Sequence, residues 1–341
     1  METIIDLRSD TVTRPSDAMR RVMAAADVGD DVYGEDPTIN RLEEIAGELT
    51  NQEAAIFLPS GTQSNLVGLL SHCQRGEEYI VGQQAHTYKY EAGGAAVLGS
   101  IQPQPIEFEP DGTLDLDKVA AAIKPDDVHF APTRLLALEN TVGGKVLSLD
   151  YIKRAALFIK ERNLSFHLDG ARVCNAAVAQ RISVAEITQH FHSVSVCFSK
   201  GLGAPVGSVL CGSSDFIQRA RRWRKMVGGG MRQAGILAAA AIHALENNLQ
   251  RLSDDHENAQ RLAVGLMKIN ELQVENGSAQ TNMVFLKVPG KDIDALRSHA
   301  RKEGILLGNG NPMRLVTHLD ISEKDIDRVL DNTKAFYTRG I

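Results

Sequence analysis

The sequence predicts an α/β fold, a mostly parallel sheet covered by helices on both faces, followed by a smaller C-terminal α+β unit. Three observations predict it. Short apolar and β-branched runs alternate with helical patterns over the first two thirds of the chain. Those runs are apolar throughout rather than every second residue, as expected of strands buried on both faces. After about residue 246 the pattern changes to charged amphipathic helices between short strands. The expected division is 1–246, a large α/β unit that includes the N-terminal segment, and 247–341, a small α+β unit. A length of 341 residues is itself compatible with two domains.

Taken in order, Ala54–Leu58 reads as a strand, broken by Pro59-Ser60-Gly61-Thr62, with a helix over Gln63–Cys73. Tyr79–Val81 and Leu135–Leu138 are strand-like, and Leu149–Asn163 carries apolar residues at helical spacing. Ser165–Leu168 is a strand stopped by Asp169-Gly170. Ser193–Phe198 is a strand stopped by Ser199-Lys200-Gly201, and Ser208–Cys211 is another. In the C-terminal part, Leu249–Leu272 reads as a helix, Met283–Val288 as a strand and Ile293–Glu303 as a helix. Ile305–Leu307 and Met313–Val316 read as strands and Glu323–Tyr337 as the closing helix.

Composition excludes several function classes. Hydrophobic residues make up 43% and charged residues 23%, which disfavours disorder and coiled coil. A net charge of −6 lacks the basic footprint of a nucleic-acid binder. The one basic cluster, Arg221–Lys225, reads as a solvated helix face or a subunit contact. The four cysteines, Cys73, Cys174, Cys197 and Cys211, have no C-x-x-C spacing, and three sit in apolar text, which suits a reducing cytoplasm. Met1–Asp6 lacks the basic and apolar regions of a signal peptide, and Ala234–Leu245 is too short to span a bilayer, so no membrane partner is expected.

Several common signatures fail. His256–Gln260 lacks the second histidine of a zinc protease helix, and Gly201–Gly207 is one residue too long for a dinucleotide fingerprint. Gly143-Gly144-Lys145 is no phosphate loop, and no G-x-S-x-G elbow exists. Asp111-Gly112 reads as a turn rather than a calcium loop, and the acidic stretch Asp30–Asp36 as an active-site or interface loop. No metal site is expected.

Three sites remain. Ser60-Gly61-Thr62-Gln63 carries a strand into a helix start, whose free N–H groups would suit a phosphate; a plain N-cap is the alternative. Asp169 ends an apolar strand, where open α/β sheets place ligands, with Arg172 three residues on as a possible structural partner. Lys200 ends another strand beside Gly201 and Gly203, an unusual place for a surface lysine. A phosphate cup, a strand-end carboxylate and a strand-end lysine together match the needs of pyridoxal 5'-phosphate. The lysine would take its aldehyde, the helix start its phosphate and the carboxylate its protonated ring nitrogen. His86 could then stack on the ring and move protons.

With these motifs in hand, the chain resembles the low-specificity L-threonine aldolases, fold type I pyridoxal-phosphate enzymes of the aspartate-aminotransferase-like superfamily. The resemblance rests on Asp6–Thr13, Gly29–Gly34, Phe57–Gln63, His167–Arg172, Phe198–Gly203, Gly228–Gln233 and Arg314–His318, in that order along the whole chain. It implies cleavage of L-threonine and L-allo-threonine to glycine and acetaldehyde, in a cytoplasmic enzyme. Lys200 would be the cofactor's lysine, Gly61 and Thr62 its phosphate turn with support from Arg232, Asp169 the partner of its ring nitrogen and His86 the stacking histidine. Ser9, Arg172 and Arg314 would hold the substrate carboxylate, with Arg172 also near the ring hydroxyl. Tyr33 and Arg232 would approach from a neighbouring subunit of a homotetramer. His86, directly or through a water, is the expected base, and His129 a second candidate by similarity. β-Elimination or racemisation on the same scaffold would share the lysine, the aspartate and the cup.

Overall fold

The computed structural model describes residues 4–338; Met1–Thr3, where the amino-terminal reading begins, lie outside them. Twelve strands occur among the described residues. In chain order they are β1 (Ile5–Asp6), β2 (Ala54–Leu58), β3 (Glu78–Gly82), β4 (Gln102–Ile106), β5 (Thr133–Glu139) and β6 (Ser165–Gly170). There follow β7 (Ser193–Cys197), β8 (Ser208–Gly212), β9 (Gln273–Val274), β10 (Met283–Lys287), β11 (Ile305–Leu306) and β12 (Met313–Val316).

Seven strands form one sheet in the order β2-β8-β7-β6-β5-β3-β4. Only β8 runs antiparallel to its neighbours, so the carboxyl ends of β2, β7, β6, β5 and β3 share one edge. The apolar runs are buried as expected: Ile56, Phe57, Leu136, Phe166, Val194 and Val209 are inaccessible. Burying each such side chain contributes roughly 1.5–3 kcal/mol, so the sheet's interior faces dominate stability.

The strand β4 was not anticipated. Its sequence, Gln-Pro-Gln-Pro-Ile, carries two prolines that cannot donate to a ladder, but β4 lies at the sheet's edge and pairs only with β3, where proline is tolerated. The helix expected over Leu249–Leu272 is shorter, Leu252–Leu266. The helix expected from Gln63 begins two residues earlier, at Gly61, because Ser60 caps it by accepting the Gln63 N–H.

The C-terminal unit has its own core, including Leu262, Val284, Leu286, Leu296, Leu315 and Ile326. The N-terminal segment, read with residues 1–246, packs differently. β1 pairs in parallel with β11, and Ile5 and Leu7 sit in the C-terminal core. The chain then returns to the large unit by way of Ser9 and Asp10. The basic cluster Arg221–Lys225 lies on the helix Ser214–Met226, where Arg221 pairs with Glu43 and buried Arg224 with Asp31. Asp111 accepts the Thr113 N–H and hydroxyl around Gly112, at φ +89°, as a turn should. No described helix is long and apolar enough to cross a membrane.

Candidate active site

The shared edge of carboxyl strand ends gathers groups from five places in the chain. β2 leads into Gly61–Thr62, β3 into His86, β5 ends at Glu139, β6 carries Asp169 and β7 leads into Lys200. This is where an open α/β sheet places a ligand.

The helix Gly61–His72 opens with free amides. Ser60 satisfies the Gln63 N–H and the Ser60 carbonyl the Ser64 N–H, which leaves the N–H groups of Gly61 and Thr62 without a partner among the described residues. Such a helix start favours an anion. Residue 61 must be small, since a Cβ there would lie 2.6 Å from the Cys197 Sγ behind it.

Asp169 is 2% exposed, and among the described residues it forms no ion pair with a lysine or arginine. Its Oδ2 accepts from the Asn65 amide at 2.9 Å and its Oδ1 from the Ala171 N–H at 3.0 Å. The expected alternative, a local pair with Arg172, is not formed. A buried carboxylate without a counter-cation is a costly arrangement that a protonated ring nitrogen would complete.

His86 stands beside it. The imidazole Nδ1 meets Glu91 at 2.8 Å, and the backbone N–H donates to Glu139 at 2.8 Å. The Glu91 bond raises the imidazole pKa, outweighing burial. Ligating atoms of His86, Glu91 and Asp169 lie within 4.8 Å of one another. Glu139, directly across the ladder from Asp169, is pushed up to about 7 by burial and then by the Asp169 charge. The Lys200 side chain makes no hydrogen bond or ion pair among the described residues, while its carbonyl accepts the Gly203 N–H at 2.8 Å; its charge acts on Asp10, Glu139, His86 and Cys197.

Arg172 is fixed by a different acid from the one expected. Its Nε and Nη2 grip buried Asp10 at 2.8 and 2.6 Å. Burial would raise the Asp10 pKa, but the Arg172 charge prevails and holds it at about 2. Asn282, from the C-terminal unit, also donates to Asp10 at 3.2 Å, so this aspartate ties both units to the site. Ser9 precedes it and accepts from Thr11. Arg314 reaches the Arg8 carbonyl from the rim; burial and then the positive Arg172 lower its pKa. The two guanidiniums thus lie near enough for their charges to interact.

Three expected residues are not brought into this cluster. Tyr33 is 74% exposed, and the Arg232 side chain pairs with Asp30 at 2.9 Å on the surface. The Asp31 N–H also donates to the Arg232 carbonyl, so Tyr33 and Arg232 belong to one outward-facing assembly. His129 is exposed and bonded to Asp127. It precedes β5, whose seven residues, about 3.3 Å each, separate it from the edge where Glu139 lies.

Sequence reasoning missed Asn65, Glu91, Asp10 and Glu139. Asn65 could have been found one helical turn beyond Gly61, and Glu139 as the polar end of an apolar strand.

The free amides of Gly61 and Thr62, the unpaired Asp169 and the unpartnered Lys200 fit pyridoxal phosphate. Comparison with known proteins agrees. The beta-eliminating lyase family model matches residues 6–289. A low specificity L-threonine aldolase of Escherichia coli strain K12 is 58% identical, covering 98% of this chain and all of that protein. The low-specificity L-threonine aldolase 1 of Arabidopsis thaliana is 45% identical, covering 96% of this chain and 94% of that protein. A solved threonine aldolase of Leishmania major superimposes with a TM-score of 0.84 at 21% identity, covering 97% and 98% of the two chains; this likeness speaks for the fold alone. The chain belongs to the low-specificity L-threonine aldolases, pyridoxal-phosphate enzymes of the beta-eliminating lyase family.

Proposed function

We propose that this protein splits L-threonine and L-allo-threonine, and other L-β-hydroxy-α-amino acids, into glycine and an aldehyde such as acetaldehyde. The observation that carries the reading is the meeting of Lys200, Asp169, His86 and the Gly61–Thr62 amides at one sheet edge. The cofactor, when bound, supplies an electron sink for the bonds at the substrate's Cα. In this reading Lys200 would hold its aldehyde, Gly61 and Thr62 its phosphate and Asp169 its ring nitrogen, and His86 would stack on its ring.

The protein's own groups then decide which bond breaks. Arg172 has its Nε and Nη2 committed to Asp10, which leaves Nη1 for a substrate carboxylate, with Arg314 and Ser9 beside it. Fixing the carboxylate fixes which Cα substituent is released. His86 donates its Nδ1–H to Glu91, so its Nε2 is free to accept the β-hydroxyl proton, and the Glu91 carboxylate stabilises the resulting imidazolium. His129 is a poorer base within one chain, given its place beyond the far end of β5.

The assembly we favour is a homotetramer in which Tyr33 and Arg232 of one subunit complete the site of its neighbour. Their exposure and their shared tie to the Asp30–Asp31 loop support it. A cytoplasmic enzyme of threonine breakdown and glycine formation suits four free, buried cysteines.

A direct assay tests the activity. The loaded protein given L-threonine should release acetaldehyde and glycine in equal amounts, without ammonia. Ammonia and a 2-oxo acid in place of acetaldehyde would instead indicate β-elimination, the second reading favoured by the family description.

A further inference from the structure

Beneath the site lies a chain of polar side chains, buried except for half-buried His72 at its end, that no step above uses. The helix Gly61–His72 places Gly61, Asn65, Gly68 and His72 on one face over the sheet, spaced by four, three and four residues. The approach is close: a Cβ at Gly68 would lie 3.0 Å from the His167 ring. The Asn65 Nδ2 donates to both Asp169 and Glu91, each at 2.9 Å. Its Oδ1 meets the His167 Nε2 at 3.3 Å, the His167 Nδ1 meets the Ser193 Oγ at 2.7 Å, and that hydroxyl meets the His72 Nε2 at 2.6 Å. Ser193 and His167 are cross-strand partners, so the sheet register holds them together.

Donor and acceptor counting gives this chain a single direction. Two carboxylates face one end of the Asn65 amide, so that end must be the NH2 group; a flipped amide would set an oxygen against both acids. The Oδ1 then requires a proton on the His167 Nε2. The neutral His167 ring must accept at Nδ1, from the only Ser193 hydrogen. The Ser193 oxygen in turn accepts from the His72 Nε2–H. Burial keeps both rings neutral, lowering His167 to about 4 and His72 well below its ordinary value.

We propose that Asn65 is a positioning residue that aims Asp169 and Glu91 together, and that His167, Ser193 and His72 lock its amide in the donating orientation. The inference rests on the functional reading above, in which Asp169 meets the ring nitrogen and Glu91 anchors the imidazole over the ring. One amide would thus orient both groups that would hold the cofactor, Asp169 directly and His86 through Glu91.

The test uses the cofactor-loaded enzyme and reads the near-visible circular dichroism of the bound pyridoxal phosphate, its Kd and the kinetic constants. Asn65→Ala should weaken cofactor binding about tenfold, the scale of a lost hydrogen bond to a charged group. It should also diminish the dichroic band and lower kcat more than it raises KM, since Arg172 and Arg314 are untouched. Ser193→Ala should do the same to about a third of that extent, whereas Ser193→Thr, which keeps the hydroxyl in a tighter space, should retain the band. An Asn65→Ala enzyme with unchanged Kd and dichroism, or Ser193→Ala and Ser193→Thr enzymes that behave alike, would overturn the proposal. Lys200→Ala measured alongside separates the two readings: loss of the normal cofactor band there, with Asn65→Ala unaffected, would leave the functional reading standing and refute this one.

Discussion

The inner wall and the outer rim of the site are built in opposite ways. On the inner wall, Asp169, Asn65, His167 and Asp10 are buried, and each is held by hydrogen bonds to other elements of the same chain. On the rim, Tyr33 and Arg232 are exposed, and the Arg232 side chain pairs only with the surface carboxylate of Asp30. A single chain therefore preorganises the groups that would grip the cofactor, whereas in the proposed assembly the rim groups act on a neighbouring subunit's site. In that proposal the wall is set at folding and the rim at assembly.

That contrast can be broken by mutation. The largest effect is expected on the wall: Asp169→Ala should cut kcat by roughly 10³ and weaken cofactor retention, as losing a preorganised charge at a reaction centre does. Steady-state kinetics with a dialysis assay will show it, and a loss under tenfold would place the ring nitrogen elsewhere. Next, Arg172→Lys should raise KM for threonine by about 10²-fold, because an ammonium cannot reproduce the forked grip on Asp10 and a substrate carboxylate.

The rim is tested by mixing subunits. Arg232→Ala and Lys200→Ala enzymes, each nearly inactive, should regain about a quarter of normal activity when dissociated and reassembled in equal amounts. Random pairing makes half of all dimers mixed, each with one intact shared site. No recovery would mean that Arg232 serves its own chain.

The smallest effect concerns Glu139. Burial raises its pKa from 4.5 to about 7, so the native protein keeps a proton that the unfolded chain releases. Its contribution to stability is full below about pH 4.5 and lost as pH rises through 7. Glu139→Gln should flatten the fall in unfolding free energy between those limits by on the order of 2 kcal/mol. Parallel stability curves for the two proteins would contradict this.

What the sequence revealed follows the same division. Strand ends and the helix start were legible because an apolar run that stops at Asp169 or Lys200 marks both a buried strand and its carboxyl end. Two prolines hid β4, since nothing local announces that a strand lies at a sheet edge. The pairing of Arg172 with Asp10 was hidden because it joins residues 162 positions apart, where spacing carries no signal. The placement of β1 against β11 was unreadable for the same reason, a two-residue ladder between distant segments. Asn65, by contrast, was within reach of helical periodicity from Gly61, but a lone asparagine in a helix has no chemistry until its two acids are known.

In the proposed function Lys200 carries the cofactor. The loaded protein should be yellow, and borohydride treatment followed by peptide mass analysis should find the cofactor's mass on the peptide containing Lys200, with activity lost in proportion. A Lys200→Ala protein that keeps the original absorption band and full acetaldehyde release, or a label found on a different lysine, would contradict it.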